Sequence, residues 1–561
     1  MTDAARPWWQ TEVVYQIYPR SFQDTDADGV GDLPGVTERL GYVAELGVGA
    51  VWLSPFYPSP QADFGYDVAD YCDVDPQFGT LADFDRLVER AHELGLRVIV
   101  DVVPNHSSEQ HPWFQESRAS RESPRRDWYI WRDPAPGGGP PNNWLSIFGG
   151  PAWTFDEATG QYYLHTFLSE QPDLNWRNPD VVNAMMDVLR FWMARGVDGF
   201  RVDAVLFSAK HPDLPDLPPR RTAAVMHKPT GEYDTLEHVY DAADPVIHEY
   251  FRRYRETVDG FDGGPGGEPR ERVLIGELHA FQDLDRWASY YGRPGPGGTL
   301  DELHLPYNFG LLNVAWTAAA LREHVDAVEA AVPPGAWPNY VLGNHDERRI
   351  ASRLGPGSVR LAMLLLLTLR GAPTLYYGDE LGLPEADVPD DRRVDPWGFR
   401  SGLPELSRDG CRTPMVWDRS PAAGFSDADP QALWLPLHRG HADLSVEAQA
   451  GDPDSHLAFA RRALAFRGGS DALRAGDYRA LLPAEGDGVT DDVFAFERTA
   501  GGNRALVLLH VGDGTARVEL PDGYAGARLA LSTHDREAEG APVGAAVELG
   551  PFAGVVLTPV G

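Results

Sequence analysis

Short apolar runs alternate with longer amphipathic segments along the chain through residue 376. The apolar runs are rich in β-branched or aromatic residues and are bounded by Gly, Pro or polar residues, which predicts buried strands. Helical patterns separate most of these runs, for example over residues 81–93 and 181–194. Strands that alternate with helices over this length favour a closed (β/α)8 barrel over an open sheet. The eight predicted strands are residues 13–18, 50–53, 96–102, 197–202, 273–275, 303–305, 340–342 and 374–376.

Two segments interrupt the alternation. Residues 107–174 are rich in Trp, Pro and Gly and predict a subdomain inserted after the third strand. Helical patterns end near residue 480, and short alternating runs within residues 481–561 predict a C-terminal β-sandwich. The barrel is therefore predicted in two parts, residues 1–106 and 175–480.

The acidic balance of the chain narrows its partners. Among 561 residues, 84 are acidic and 49 are basic, which gives a formal net charge of −35. Such a field repels phosphate backbones and anionic headgroups, so nucleic acids and membranes are disfavoured, whereas a small neutral substrate is not hindered. The two cysteines form no disulfide or zinc pattern, and residues 1–10 lack the pattern of a signal peptide. With no apolar run long enough to span a bilayer, the sequence predicts a soluble cytoplasmic protein.

Acidic residues lie just beyond three of the predicted strands. Asp203 follows the fourth strand, Glu277 the fifth and Asp346 the seventh. Because the carboxyl ends of barrel strands open onto one rim, we expect these three carboxylates to converge. His106 and His345 follow the third and seventh strands, and both can donate hydrogen bonds to substrate hydroxyls. A single residue of this kind is more often a helix cap or a structural partner, so the prediction depends on the combination.

A pair of carboxyl groups is what the cleavage of a glycosidic bond requires. One protonates the leaving oxygen, and the other attacks the anomeric carbon or activates water. Arg201 and Asp203 are two residues apart on a strand, so their side chains share one face. We expect the Arg201 cation to keep Asp203 ionised, as suits a nucleophile, with a structural ion pair as the alternative interpretation. Glu277 has no neighbouring cation in the sequence, and a raised pKa there would suit an acid.

A loop of alternating carboxylates at residues 24–32 (DTDADGVGD) predicts a structural divalent-cation site. Carboxylate and carbonyl oxygens around a Gly turn are preferred calcium ligands, and we expect calcium rather than magnesium. The loop is half an EF-hand without the flanking helices, and a plain acidic turn is the alternative interpretation. The expected ligands are the side chains of Asp24, Asp26, Asp28 and Asp32 and the carbonyl of Val30.

In combination, these motifs resemble those of the α-amylase superfamily, glycoside hydrolase family 13. The resemblance covers roughly the first 420 residues and only loosely the remainder. The forms QPDLN at residues 171–175 and RTPM at residues 412–415 are similar to the α-glucosidase and oligo-1,6-glucosidase branch. The other matching segments are residues 15–22, 65–71, 101–106, 199–205, 275–277 and 344–346.

The resemblance implies a catalytic role for each acidic residue of the triad. Asp203 is expected to be the nucleophile that forms a covalent β-glucosyl intermediate. Glu277 is expected to protonate the leaving oxygen and then to activate water. Asp346 is expected to hold the 2- and 3-hydroxyls of the sugar.

Further residues are implied to bind the terminal sugar. Tyr66 is expected to stack on the sugar ring, and Phe167 to form part of the pocket wall. Asp63 and Arg412 are expected to close the pocket around the 4-hydroxyl, so that one glucose is removed from the non-reducing end. The branch also carries a divalent ion in the loop at residues 24–32. The remaining implied members of the sugar site are His106, Arg201 and His345.

The expected activity is that of a retaining, exo-acting α-glucosidase on short, neutral α-glucosides. Ala204, which follows the nucleophile, is neither the Val of many α-1,6-cleaving relatives nor the Thr of some α-1,4-specific ones, and α-1,4 linkages are favoured. An oligo-1,6-glucosidase and a transglucosidase that uses the same intermediate stay open. A non-enzymatic sugar-binding or transporter-escort homologue is disfavoured, because the escort ectodomains lack the triad and carry a membrane helix.

Overall fold

Eight parallel strands form the central sheet in the computed structural model, which describes residues 6–221, 230–263, 270–280, 283–295, 298–481 and 491–559. Three smaller antiparallel sheets surround it. The strands of the described chain are β1 (Val14–Ile17), β2 (Ala50–Leu53), β3 (Arg97–Val102), β4 (Trp131–Arg132), β5 (Trp153–Asp156), β6 (Gln161–Leu164), β7 (Gly199–Val202), β8 (Val273–Gly276), β9 (Leu305–Pro306), β10 (Asn339–Val341), β11 (Ala372–Tyr376), β12 (Asp477–Leu481), β13 (Val493–Ala500), β14 (Asn503–His510), β15 (Ala516–Glu519), β16 (Arg528–Ser532), β17 (Ala546–Leu549) and β18 (Gly554–Thr558).

The central sheet closes on itself. Its strands are hydrogen-bonded in the order β10-β11-β1-β2-β3-β7-β8-β9. An isolated parallel bridge between Asn308, just after β9, and Tyr340 of β10 joins the two ends. A closed parallel sheet with intervening helices is a (β/α)8 barrel, so the predicted fold class is confirmed. Each of the eight predicted strands is present, and the sixth is reduced to Leu305–Pro306.

Helices return the chain from one barrel strand to the next. No helix among the described residues is long and apolar enough to cross a membrane. The α-helices of the described chain are α1 (Trp8–Thr11), α2 (Leu33–Leu46), α3 (Leu81–Glu93), α4 (Pro112–Ala119), α5 (Pro179–Ala194), α6 (Ile247–Asp259), α7 (Leu284–Ser289), α8 (Gly310–Asn313), α9 (Ala318–Ala331), α10 (Ile350–Leu354), α11 (Val359–Thr368), α12 (Pro396–Arg400), α13 (His441–Leu444), α14 (Val446–Ala450), α15 (His456–Gly468) and α16 (Asp471–Ala475).

Local sequence fixes the ends and the buried face of helix α3. Its N-cap Thr80 and Asp83 form a capping box, in which each side chain accepts from the other residue's backbone N–H. Its buried residues include Phe84 and Leu87, three positions apart on one face. Burial of each such side chain stabilises the fold by roughly 1.5–3 kcal/mol, so the apolar face holds α3 against the barrel.

Alternation along the barrel strands separates two layers of core. In β2, Ala50 and Trp52 belong to the cluster inside the barrel, which also contains Ile99 of β3. The intervening Val51 and Leu53 belong to the cluster between the strands and the outer helices. Successive side chains of a strand point to opposite faces. The register that places apolar side chains inside the barrel therefore also determines which side chains at its carboxyl rim point inward.

The chain leaves the barrel after β3 to form the inserted subdomain. This subdomain contains the antiparallel sheet β4-β6-β5. Phe114 of α4 packs against Trp131 and Tyr163, with ring centroids 5.7 Å and 5.2 Å away. An isolated bridge between His106 and Asp173 joins the beginning of the insertion to its end. The subdomain is thereby tied to the rim of the barrel, beside the third strand.

The C-terminal domain consists of two antiparallel sheets. A five-stranded sheet, β12-β13-β14-β18-β16, and the pair β15-β17 share one apolar cluster that includes Leu506, Val518 and Leu549. This is the predicted β-sandwich. Its first strand, β12, begins at Asp477, so the sandwich starts earlier than the predicted boundary at residue 481.

Candidate active site

Residues that follow several barrel strands meet in one pocket at the carboxyl rim. The cavity is lined by Asp203, Glu277 and Asp346, which follow β7, β8 and β10. Its apolar lining includes Ile147, Phe148, Phe167, Phe207, Phe309 and Trp397. The predicted triad is therefore brought together at an acidic floor beneath a largely aromatic wall.

The guanidinium of Arg201 connects the carboxylates of this floor. It lies 2.8 Å from Asp101, 2.6 Å from Asp203 and, through its other terminal nitrogen, 2.8 Å from Glu277. The absence of a cation near Glu277 in the sequence was therefore misleading. In the barrel, Arg201 is the register partner of Asp101 on one side and of Ile275 on the other, which places Glu277 within reach. The contact between Arg201 and Glu277 follows from the order of the strands in the sheet, and the spacing of residues along the chain does not reveal it.

Burial dominates the acid–base properties of Asp203. Burial raises the pKa of this carboxyl well above its ordinary value, Arg201 opposes the shift, and the neighbouring Glu277, Asp101 and Asp346 reinforce it. Arg201 therefore favours the ionised carboxylate of Asp203, but its charge is shared with Asp101 and Glu277 and does not cancel the effect of burial. Burial likewise raises the pKa of Asp101 to about 6. Closely spaced carboxyl groups titrate as a coupled set, so each proton bound at the floor of the pocket is shared among these carboxyl groups rather than assigned to one residue.

Both oxygens of Glu277 are held by residues of β7 and of the turn that follows it. Oε1 accepts from Arg201 at 2.8 Å, and Oε2 accepts from the backbone N–H of Ala204 at 2.8 Å. Ala204 has a φ of +41°, in the left-handed region that a residue with a Cβ seldom adopts. His279 also lines the pocket, with Nε2 3.7 Å from Oε1 of Glu277 and its ring stacked on Phe309. The acid/base candidate is thus fixed by the turn that follows the nucleophile candidate.

His345 and Tyr66 form a stacked pair beside Asp346. Their rings are 5.3 Å apart and nearly parallel, and the Tyr66 hydroxyl lies 2.6 Å from Nε2 of His345. Burial lowers the pKa of His345 well below its ordinary value, so the ring is neutral at pH 7. The amide of Gln16 donates to Nδ1, which leaves the proton on Nε2, facing Tyr66 and, at 3.2 Å, Asp346. The ring of His345 stacks on one face of the Tyr66 ring, and Tyr66 also lines the pocket.

The inserted subdomain supplies the opposite side of the pocket. His106 lies at its start, and burial lowers the pKa of this ring to about 4, so it is neutral. Phe167 packs edge-on against His106 with a centroid distance of 5.1 Å. Gln171 reaches both His106, at 3.0 Å, and Asp63, at 3.2 Å. The predicted positions His106, Phe167 and Asp63 therefore all lie at the pocket.

Arg412 is not the arginine that lines this pocket. Its side chain is fully buried and donates to the carbonyl of His345 and to Asp346. Arg408 lines the cavity instead, 2.7 Å from Asp63 and 3.1 Å from Asp346. The prediction for Arg412 is corrected accordingly, because the RTPM motif draws attention to an arginine one turn too far along the chain. No regular spacing marks Arg408.

Three of the expected metal ligands lie close together. One carboxylate oxygen each of Asp24, Asp26 and Asp28 lies within 4.8 Å of the others. Asp32 is outside this group, because its carboxylate accepts from Gly35 and Thr25 and forms the N-cap of α2. The backbone N–H of Val30 donates to Asp28.

The carboxylates of the loop differ in the number of hydrogen bonds that they accept. Asp24 accepts from the N–H groups of Asp26, Ala27 and Gly29 and from the hydroxyl of Ser426, so it organises the turn. Asp26 and Asp28 accept through Oδ1 from Asp28 and Val30. The donor set of hard oxygens fits a divalent cation at Asp24, Asp26 and Asp28.

The geometry agrees with the comparison to known proteins. The chain belongs to the family described as the alpha amylase catalytic domain, which matches residues 16–476. It is 43% identical to a probable alpha-glucosidase of Rhizobium meliloti, over 92% of this chain and 91% of that protein. The solved structure of an alpha-glucosyl transfer enzyme is 40% identical, with a TM-score of 0.88, and the match covers 99% of this chain and 100% of that one. An amino acid transporter heavy chain of Rattus norvegicus is 36% identical over 94% of this chain and 75% of that protein.

Replacing Arg201 with lysine tests the sharing of its charge. A lysine ammonium is a compact point charge and cannot hold three carboxylates at fixed positions. We expect Arg201→Lys to lower kcat/KM for p-nitrophenyl α-glucoside by roughly 10²–10³-fold. Since Arg201 lowers the pKa of Asp203, weakening this contact moves the acidic limb of the kcat/KM profile to higher pH. An acidic limb at the wild-type pH would contradict this assignment.

Proposed function

We propose that this protein is a retaining, exo-acting α-glucosidase that removes terminal glucosyl residues from short oligosaccharides, with α-1,4 linkages preferred. The observation that carries the proposal is the pair Asp203 and Glu277, held by one guanidinium at the floor of a pocket that also contains Asp346. Relatives with the names maltase and oligo-1,6-glucosidase support the substrate class.

The first step uses the two carboxyl groups in opposite senses. The Asp203 carboxylate attacks the anomeric carbon and forms a β-glucosyl ester, while the bond to the glycosidic oxygen breaks. Glu277 gives its proton to that oxygen, so the aglycone leaves as an alcohol. Arg201 contacts both groups and offsets the negative charge that then appears on Glu277.

The second step reverses the role of Glu277. Its carboxylate takes a proton from water, the water oxygen attacks the anomeric carbon, and the ester bond to Asp203 breaks. Two inversions at the same carbon return the α configuration. Because the Ala204 N–H holds Glu277 independently of Arg201, the carboxyl group stays in place through both steps.

The contacts of Arg408 support removal of a single terminal sugar. Asp63 lies in the loop after β2 and Asp346 in the loop after β10, and Arg408 bridges the two across the pocket. Such a bridge closes the end of the pocket that an internal chain segment would need to pass through. Asp346, together with Arg408, then presents charged groups to the hydroxyls of the terminal glucose.

Transfer of glucose to an acceptor other than water is the second candidate function. The aromatic wall formed by Phe148, Phe207, Phe309 and Trp397 offers apolar contacts to an acceptor at the pocket mouth. The similarity to an alpha-glucosyl transfer enzyme favours a role of this wall in binding an acceptor. A transporter-escort role is less favoured, because the acidic triad of this chain is assembled in a pocket.

We also propose a structural calcium ion held by the side chains of Asp24, Asp26 and Asp28. Bound there, the ion would offset three carboxylates in the loop between β1 and α2 and tie it to the segment of Ser426, which contacts Asp24. None of these three carboxylates lines the pocket, so we assign the ion a role in stability.

Chelation tests the metal proposal. A ligand that binds only the folded protein raises its stability, so removal with EDTA should lower the melting temperature by a few degrees, and Ca²⁺ should restore it. The double variant Asp26→Asn/Asp28→Asn should melt at the chelated temperature with or without Ca²⁺. Equal melting curves for wild type before and after EDTA, with no metal found by mass spectrometry, would remove the proposal.

Time-resolved proton NMR on maltose, isomaltose and sucrose tests the proposed activity. We expect α-glucose as the first released anomer, fastest from maltose, and no release by Asp203→Ala, because the nucleophile is gone. New oligosaccharide signals would identify the transglucosidase instead. First release of β-glucose, or turnover by Asp203→Ala at the wild-type rate, would contradict the mechanism.

A further inference from the structure

Arg408 can bridge Asp63 and Asp346 across the pocket only if its side chain is held in one conformation. Its two terminal nitrogens point to different carboxylates, Asp63 and Asp346, which belong to separate loops. An arginine side chain has several rotatable bonds, and fixing them costs conformational entropy. The bridge across the pocket therefore depends on whatever fixes the rest of the Arg408 side chain.

Asp395 supplies four contacts that fix it. Its oxygens accept from Nε of Arg408 at 3.0 Å and 3.1 Å, from Nη2 at 2.6 Å, and from the backbone N–H of Arg408 at 2.6 Å. The Asp395 side chain is completely buried and does not line the pocket itself. Paired N–H donors on one carboxylate define the plane of a guanidinium, so Asp395 sets the direction in which Arg408 points.

The same carboxylate also fixes part of the aromatic wall. Asp395 is the N-cap of α12 and accepts from the backbone N–H of Trp397. The Arg408 guanidinium lies 5.7 Å from the ring of Trp397 and 5.5 Å from that of Phe148, which pack on each other. A single buried residue thus connects the sugar-facing cation with two residues of the wall.

We propose that Asp395 is a positioning residue for recognition of the terminal sugar, acting by orienting Arg408 and anchoring Trp397. This inference rests on the proposed function and assigns a task to a residue outside the triad. Asp395 touches neither the reacting bond nor the catalytic carboxylates, and it works through the geometry of Arg408.

The charge balance around Arg408 is consistent with this task. Burial alone would raise the pKa of Asp395, but the contacts with Arg408 outweigh burial, and the pKa lies below its ordinary value. Asp395 is therefore ionised at neutral pH. Replacing it with asparagine keeps the size and an acceptor oxygen for Trp397, and removes the charge that orients the guanidinium.

The test compares Asp395→Asn with Asp390→Asn, using maltose kinetics and thermal melting by circular dichroism. Asp390 carries the same substitution in the same loop, on an exposed side chain that pairs with Arg393. We expect Asp395→Asn to raise KM by about 10²-fold with a much smaller change in kcat, because displacement of Arg408 weakens binding in the ground and transition states alike. Asp390→Asn should keep the wild-type KM. A folded Asp395→Asn enzyme with the wild-type KM would overturn the proposal.

A second variant keeps the proposal testable if Asp395→Asn does not fold. Arg408→Lys retains the positive charge beside Asp395 but cannot bridge Asp63 and Asp346, and we expect the same rise in KM. A wild-type KM for Arg408→Lys would overturn the proposal, since Arg408 would need no positioning.

Binding of glucose, measured by titration calorimetry, separates this inference from the proposed function. A wild-type protein that hydrolyses no α-glucoside would contradict the proposed function alone. Weaker glucose binding by Asp395→Asn, relative to Asp390→Asn, would still support the positioning role. Equal binding by these two folded variants would overturn it.

Discussion

One buried guanidinium is shared by the carboxylates at the floor of the pocket, and the rest of the site depends on this sharing. Arg201 is almost fully buried and contacts Asp101, Asp203 and Glu277. Removing a cation and several carboxylates from water is costly, and the contacts offset this cost only when the geometry is well fixed. The closed barrel supplies that geometry, since the parallel registers of β3, β7 and β8 place Asp101 and Ile275 on either side of Arg201.

Different parts of the chain contribute the floor and the wall of the pocket. The floor comes from residues at the ends of barrel strands, whose positions follow from the hydrogen-bonded sheet. The wall comes from the inserted subdomain, through Phe148 and Phe167, from Phe207 and Phe309 in the loops after β7 and β9, and from the segment that contains Trp397. Loops on a barrel rim can change without disturbing the core, so the wall is where preference for linkage and acceptor would be set.

The sequence predicts those parts of the molecule in which apolar and polar residues repeat with the period of a strand or a helix. The barrel is predictable because short apolar runs alternate with helical patterns, and Asp203, Glu277 and Asp346 are predictable because each lies just beyond a predicted strand. Arg408 and Asp395 obey no such period, since their positions follow from the packing of a long loop against two others. The buried position of Arg412 and the contact of Arg201 with Glu277 likewise depend on tertiary packing, whereas the N-cap role of Asp32 is local to the start of α2.

The most direct test of the account is covalent trapping of the nucleophile. Incubation with 5-fluoro-α-glucosyl fluoride, which slows hydrolysis of the ester intermediate, should add one fluoroglucosyl group to the protein. Proteolysis and mass spectrometry should then locate that group on the peptide containing Asp203, and Asp203→Ala should take up no label. A label on Glu277 or Asp346, or turnover of the reagent with inversion and no ester, would contradict the account.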